Sequence, residues 1–159
     1  MEKEKFIFWV YEFFHIKGSK VKNNRIISLG TNCATRYFLT KAGIKPAKDQ
    51  GELSMPFDLA IHFPRYIPYL IKTKFKKYLS GIMFDEKTKN FKISLKKHWW
   101  NKKQNVAYLN HDNDLGKDVS KIRLRYKNRI QNFLTVLNSK EKLFFVQSLE
   151  SPYNPMKLL

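Results

Sequence analysis

The run Arg25-Ile26-Ile27-Ser28-Leu29-Gly30-Thr31-Asn32-Cys33 opens as a short apolar stretch and stops at a glycine. Such a stretch reads as a buried strand, with Thr31 and Asn32 as a tight polar turn. Cys33 to Ala42 then has helical character, closed by Gly43 and Pro46. Downstream, Met55-Pro56-Phe57-Asp58 is a compact apolar turn with one carboxylate. Phe63 to Leu79 is expected to be one helix, with Tyr66, Ile67, Leu70, Ile71, Phe75, Tyr78 and Leu79 on one face. Pro64 and Pro68 then lie in its first turn or just before it. Short strands are expected around Phe91 to Leu95 and Val106 to Leu109.

The clearest helix is Val119 to Leu137. Val119, Ile122, Tyr126, Ile130, Phe133, Leu134 and Leu137 follow steps of three and four, and Arg123, Arg125, Lys127 and Arg129 cover the other faces. Lys142 to Val146 reads as a last buried strand. Strand, helix and strand with long crossovers imply an α/β domain with a mainly parallel sheet flanked by helices. A strong strand so near the end reads as a C-terminally shortened version of a larger domain. Upstream, Gly18 to Asn24 is a polar turn, and Glu4 to Phe14 places Phe6, Trp9, Val10, Phe13 and Phe14 at helical spacing. The expected organisation is an N-terminal helix and turn over 1–24, the α/β domain over 25–147 and an irregular tail over 148–159.

Thirty-one Lys and Arg face thirteen Asp and Glu in 159 residues, a formal charge of +18. Such a surface attracts polyanions: nucleic acid, anionic lipid headgroups or acidic glycans. Lys72 to Lys103 concentrates the charge, with eleven lysines against two acids and Phe75, Tyr78, Phe91, Trp99 and Trp100 interleaved. Lys96, Lys97, Trp99, Trp100, Lys102 and Lys103 are the candidate polyanion contacts, suiting backbone neutralisation plus base stacking. No stretch approaches the roughly 18 apolar residues of a membrane span. The alternating charges of Met1 to Lys5 do not form a secretory signal. A single cysteine excludes an internal disulfide and a multi-cysteine zinc site, and points to the reducing cytoplasm. Gly30 stands alone, so no glycine-rich phosphate loop forms and no cofactor is expected. The four histidines show no metal-ligand spacing.

Cys33, at the start of its helix, is the candidate nucleophile. A thiol reacts as thiolate, and a helix N-terminus stabilises that anion. Free N–H groups of the first turn can receive an oxyanion, with Asn32 and Gly30 supporting the turn. The competing reading is a small buried hydrophobe. A catalytic thiol also needs a base. His15 ends the first helix, His62 lies in an apolar stretch, and His98 precedes Trp99. His111 lies at a strand end beside Asp112 and is the expected base. Asp58 and Asp112, both in turns after apolar runs, are the candidate orienting carboxylates. Asp112 alternatively shapes its own turn.

Ser28-Leu29-Gly30-Thr31-Asn32-Cys33, Met55-Pro56-Phe57-Asp58 and His111-Asp112 occur in the order of three motifs of a known family. The helix with Tyr126, Arg129, Ile130 and Phe133, followed by Leu143 to Val146, continues the match. The chain thereby resembles, over Arg25 to Gln147, a bacterial family of papain-like cysteine peptidases that was formerly a domain of unknown function. The resemblance implies Cys33 as nucleophile, His111 as base, and Asp58 and Asp112 as orienting or structural carboxylates. It brings no substrate with it. Leu59 departs from the tryptophan often found after Pro-Phe-Asp. The expected function is a thiol hydrolase or acyl transferase acting on an acyl, peptide or glycan-linked substrate. The alternative is a non-enzymatic polyanion binder.

Overall fold

The computed structural model describes residues 24–30, 33–96 and 103–147. The expected helix over Glu4 to Phe14, Asn32, Lys97, Trp99, Trp100, Lys102 and the tail over 148–159 lie outside the described residues. In chain order the regular elements are β1 (Asn24–Ser28), α1 (Ala34–Lys41), β2 (Ile61–His62), α2 (Ile67–Lys72), β3 (Ile82–Asp85), β4 (Asn90–Lys96), β5 (Lys103–Leu109), α3 (Val119–Leu137) and β6 (Lys142–Val146). Short 3-10 turns precede α2, β3 and α3.

The chain is mixed α/β, but its sheet is not mainly parallel. β1 and β6 form a two-stranded parallel pair, with Ile26 opposite Phe144. The other four strands form a separate antiparallel sheet in the order β2-β5-β4-β3. The expectation fails because Ile82–Asp85 supplies a strand that pairs back on β4. β4 and β5 likewise pair antiparallel, through a six-residue connection. Such short links join antiparallel neighbours, whereas a parallel pair needs a long crossover. A register shift at Ile93/Ser94 leaves Val106 as a bulge. The bulge carbonyl accepts the N–H of Phe63 at 3.1 Å, so β2 leads directly into the turn before α2.

The expected helix over Phe63 to Leu79 is interrupted. It reduces to a 3-10 turn over Pro64–Tyr66, the six residues of α2, and turns beyond. Phe75 N–H donates to Leu70 O at 2.8 Å and Lys74 N–H to Ile71 O at 3.0 Å. These are the two bonds of a Schellman stop. Lys74 occupies the left-handed position that glycine usually fills, with φ 49°. The same device ends α1, where Gly43 has φ 68° and Ile44 N–H reaches Leu39 O. In α2 the stop turns the Phe75 ring into the core.

α3 begins where its sequence signals it. The Asp118 carboxylate accepts the N–H groups of Ser120 and Lys121 at 2.9 and 3.1 Å, an N-cap worth about 1 kcal/mol. Its buried stripe is Ile122, Tyr126, Arg129, Ile130, Phe133 and Val136. Arg129 therefore lies inside, contrary to its expected place on an outer face. One hydrophobic cluster joins both sheets to α2 and α3, including Ile27 of β1, Ile93 of β4, Leu70 of α2 and Phe133 of α3. Phe57, Phe75 and Phe133 meet pairwise at 5.4 to 5.6 Å between ring centres near its middle.

Candidate active site

β1 runs past Ser28, and Leu29 N–H donates to Val146 O at 2.8 Å, so the parallel pair continues up to the buried Gly30. Cys33 is the N-cap residue of α1 and is partly exposed. Its side chain makes no capping hydrogen bond, and its carbonyl accepts Tyr37 N–H at 3.1 Å. Among the described residues no hydrogen bond links the thiol to a histidine.

Asp58 is 2 % exposed. Its Oδ2 accepts Met55 N–H at 2.8 Å and its own N–H donates to Met55 O at 3.2 Å, which closes the Pro-Phe-Asp turn on itself. Phe57 anchors that turn in the aromatic cluster. Burial raises the Asp58 carboxyl to about 6, against the opposing pull of the Met55 N–H and of Arg36 and Arg129. Arg36 lies on α1, one turn past Cys33, and also meets Glu52 at 3.9 Å. Glu52 in turn contacts Lys45 at 3.1 Å and Arg25 at 3.5 Å. Lys45 is fully buried and donates to Ile26 O at 2.9 Å, tying the segment after α1 to β1.

His111 is exposed, in the turn that leaves β5. Its neighbour Asp112 is 0 % exposed. Oδ1 of Asp112 meets Arg125 at 2.8 Å and Arg129 at 3.3 Å. Oδ2 accepts from the Tyr126 hydroxyl at 3.1 Å and from Arg129 at 3.4 Å. Arg125 also grips Asp114. Burial pushes the Tyr126 phenol well above its ordinary value, so it stays a donor. The turn that carries His111 is thus bolted to α3.

His62 is completely buried. Its Nε2 lies 2.8 Å from the Tyr78 hydroxyl, its Nδ1 has no hydrogen-bond partner among the described residues, and its ring stands on Phe57 at 4.7 Å. Burial lowers this imidazole to about 3, which holds it neutral. Lys96 and Lys103 are exposed and directly opposite each other at the ends of β4 and β5. Among the described residues, no three of His, Cys, Asp and Glu are placed to hold one metal ion.

The sequence reading set Arg129 on an outer face and gave it no role at the site, whereas it is the buried cation that Asp112 bonds and whose charge acts on Asp58. Its spacing was the available signal. It falls on the stripe Ile122, Tyr126, Phe133, Val136, where a charged residue needs a buried partner.

Residues 24–158 match the family described as "putative papain-like cysteine peptidase (DUF1796)". The chain belongs to that family. The match begins at the first residue of β1 and takes in Cys33, the Pro-Phe-Asp turn, the His-Asp pair, α3 and β6. Membership supports a hydrolase at the level of the family description. No curated protein and no solved structure matches the chain. Among the described residues no helix is long and apolar enough to cross a membrane.

Proposed function

We propose that this family member is a thiol hydrolase of the cysteine-peptidase type. The observation that carries the reading is the station of Cys33: N-cap residue of a helix that follows a parallel strand, partly exposed, its sulfur not used as a cap. Ligands of open α/β sheets gather at that end of the strands. In the proposed reaction His111 takes the thiol proton as Sγ attacks an amide or ester carbonyl carbon. The carbonyl oxygen becomes an oxyanion facing the first-turn N–H groups of α1. The leaving amine or alcohol departs with the proton from His111, and a thioester remains. Water then attacks, giving its proton through His111, and frees the acid and the thiol. Transfer to an amine or alcohol instead of water is the same step with another acceptor. A single thiol suits work in a reducing cytoplasm.

The test is the rate of Cys33 alkylation by iodoacetamide from pH 5 to 9, in the unmodified chain and in His111→Ala. A fast reaction at neutral pH that slows tenfold or more in the variant supports the pair. Equal rates and equal profiles would sink it.

A second reading rests on Lys96 and Lys103. Like charges directly opposite each other destabilise a strand pair unless an anion lies between them. These two flank a connection containing Lys97, Trp99, Trp100 and Lys102 in sequence. A polyanion-binding function predicts single-stranded nucleic acid binding that weakens steeply with salt and is lost on changing Lys96 and Lys103 to Gln. Absence of binding at low salt removes this reading.

A further inference from the structure

The thiol helix turns its larger apolar side chains outward. α1 buries Thr35 and Leu39, whereas Tyr37 is 59 % exposed and Phe38 58 %. That reverses what burial favours in a surface helix, where the apolar stripe faces the core. The two rings meet edge to face, 5.8 Å between centres, so they form one patch. Singly exposed apolar residues are ordinary, but contiguous ones mark places where a ligand or partner is bound.

The patch stands in register with the nucleophile. Cys33 has helical backbone angles, and Tyr37 N–H closes the helical bond onto its carbonyl at 3.1 Å. Residues four apart lie on one face of a helix, about 5–6 Å between Cβ atoms. Tyr37 is therefore the next side chain along that face from the thiol. Four residues further on, exposed Lys41 sets its ammonium 5.8 Å from the centre of the Tyr37 ring. Thiol, aromatic ring and cation thus follow one another along α1, with Phe38 widening the apolar part. Each step rises about 6 Å, the length of about two residues of extended peptide. Contacts to the acyl side of a substrate serve both steps of the proposed reaction, because the thioester keeps the acyl group on Sγ.

We propose that Tyr37 and Phe38 form a substrate ledge of the thiol site, with Lys41 at its far end. The ledge selects acyl donors with an aromatic or large aliphatic side chain about two residues before the reacting carbonyl and an anionic group about four residues before it. The proposal rests on the Cys33 reading above and supplies its substrate class, an apolar peptide with an acidic end. The formal charge of +18 draws in a substrate of that sign.

The test uses three peptide chloromethyl ketones that differ only along the ledge: acetyl-Ala-Ala-Ala, acetyl-Ala-Phe-Ala and succinyl-Ala-Phe-Ala. Sγ of Cys33 attacks the chloromethyl carbon, a C–S bond forms and chloride leaves, so loss of the free thiol reports the rate. In the unmodified chain phenylalanine is expected to speed labelling about tenfold over alanine, and succinyl about threefold over acetyl at low salt. Tyr37→Ala is expected to erase the phenylalanine advantage and Tyr37→Phe to keep it. Lys41→Gln is expected to erase the succinyl advantage alone. Leu124→Ala, which trims a similarly exposed side chain on α3, is expected to keep both. The proposal is overturned if the three labels react alike, or if either advantage survives the variant that should remove it. His111→Ala separates the ledge from the reaction, and slower labelling with both advantages kept is expected there. A Tyr37-dependent advantage with no effect of His111→Ala upholds the ledge and sinks the Cys–His pair. An effect of His111→Ala with no advantage for any label sinks the ledge and leaves the pair standing.

Discussion

His62 and Asp58 sit four residues apart, both buried, and burial drives them in opposite directions on the pH scale. The folded imidazole titrates near 3, against 6.5 for an unperturbed histidine, so between those values the unfolded chain binds more protons. Stability therefore falls as pH drops through that window, by about 1.4 kcal/mol per unit. The Asp58 carboxyl titrates near 6, against 3.8 unperturbed, so between those values the folded chain binds more protons and stability rises as pH drops. The two slopes offset each other from about pH 4 to 6. Replacing His62 with Gln leaves the Asp58 slope unopposed, and the variant is expected to be more stable at pH 5 than at pH 7. Urea midpoints at the two pH values check this. A variant with the same difference between them as the unmodified chain would refute it. At this scale the sequence was partly legible. His62 in an apolar stretch reads as a core histidine, and it is one. The burial of Arg129 was hidden because a guanidinium looks like a surface group until its partner is known, and that partner comes from a distant turn.

Among the elements, α3 was readable to the residue, and β6 in its bounds but not in its expected burial: Lys142 and Phe145 are exposed and the other three residues half-buried, because only β1 pairs with the strand among the described residues. The helix has a long periodic stripe and a carboxylate N-cap, and the strand is a compact apolar run. β2 and β3 have two and four residues, too short for any period to show. The end of α2 was illegible for a different reason. The apolar positions from Tyr66 to Leu79 fit one helix face, and most of them do enter the core. Yet the chain reaches them through left-handed Lys74, Phe75 and Lys77, none of which is glycine. A helix stop without glycine has no composition to betray it. Lys74→Gly is expected to stabilise the protein by about 0.5–1 kcal/mol, because it removes a left-handed side chain at the cost of some unfolded-state entropy. Gly81→Ala should do the reverse. A Cβ there would stand 2.7 Å from Ser94 O and 2.8 Å from Leu95 Cδ2, and relief requires a shift of β4 costing about 2–3 kcal/mol. Urea unfolding of both variants tests the pair, and a change of the same sign in the two would contradict it.

The whole molecule is organised by its one parallel contact. β1 meets β6 only after the chain has built the antiparallel sheet, α2 and α3, and Arg25 clasps Glu141 across 116 positions at 2.8 Å. The hairpins β3–β4 and β4–β5 are local and can close early, whereas the outer pair carries a long loop-closure penalty. During synthesis the strand that feeds the thiol helix emerges among the first described elements, and its only partner among them emerges last. A growing chain therefore carries Cys33 for most of its translation without the strand pair that stations it. Cys33, the nucleophile of the proposed reaction, is thus stationed by the order of manufacture: its strand pair closes only when the turns bearing Asp58 and His111 already exist.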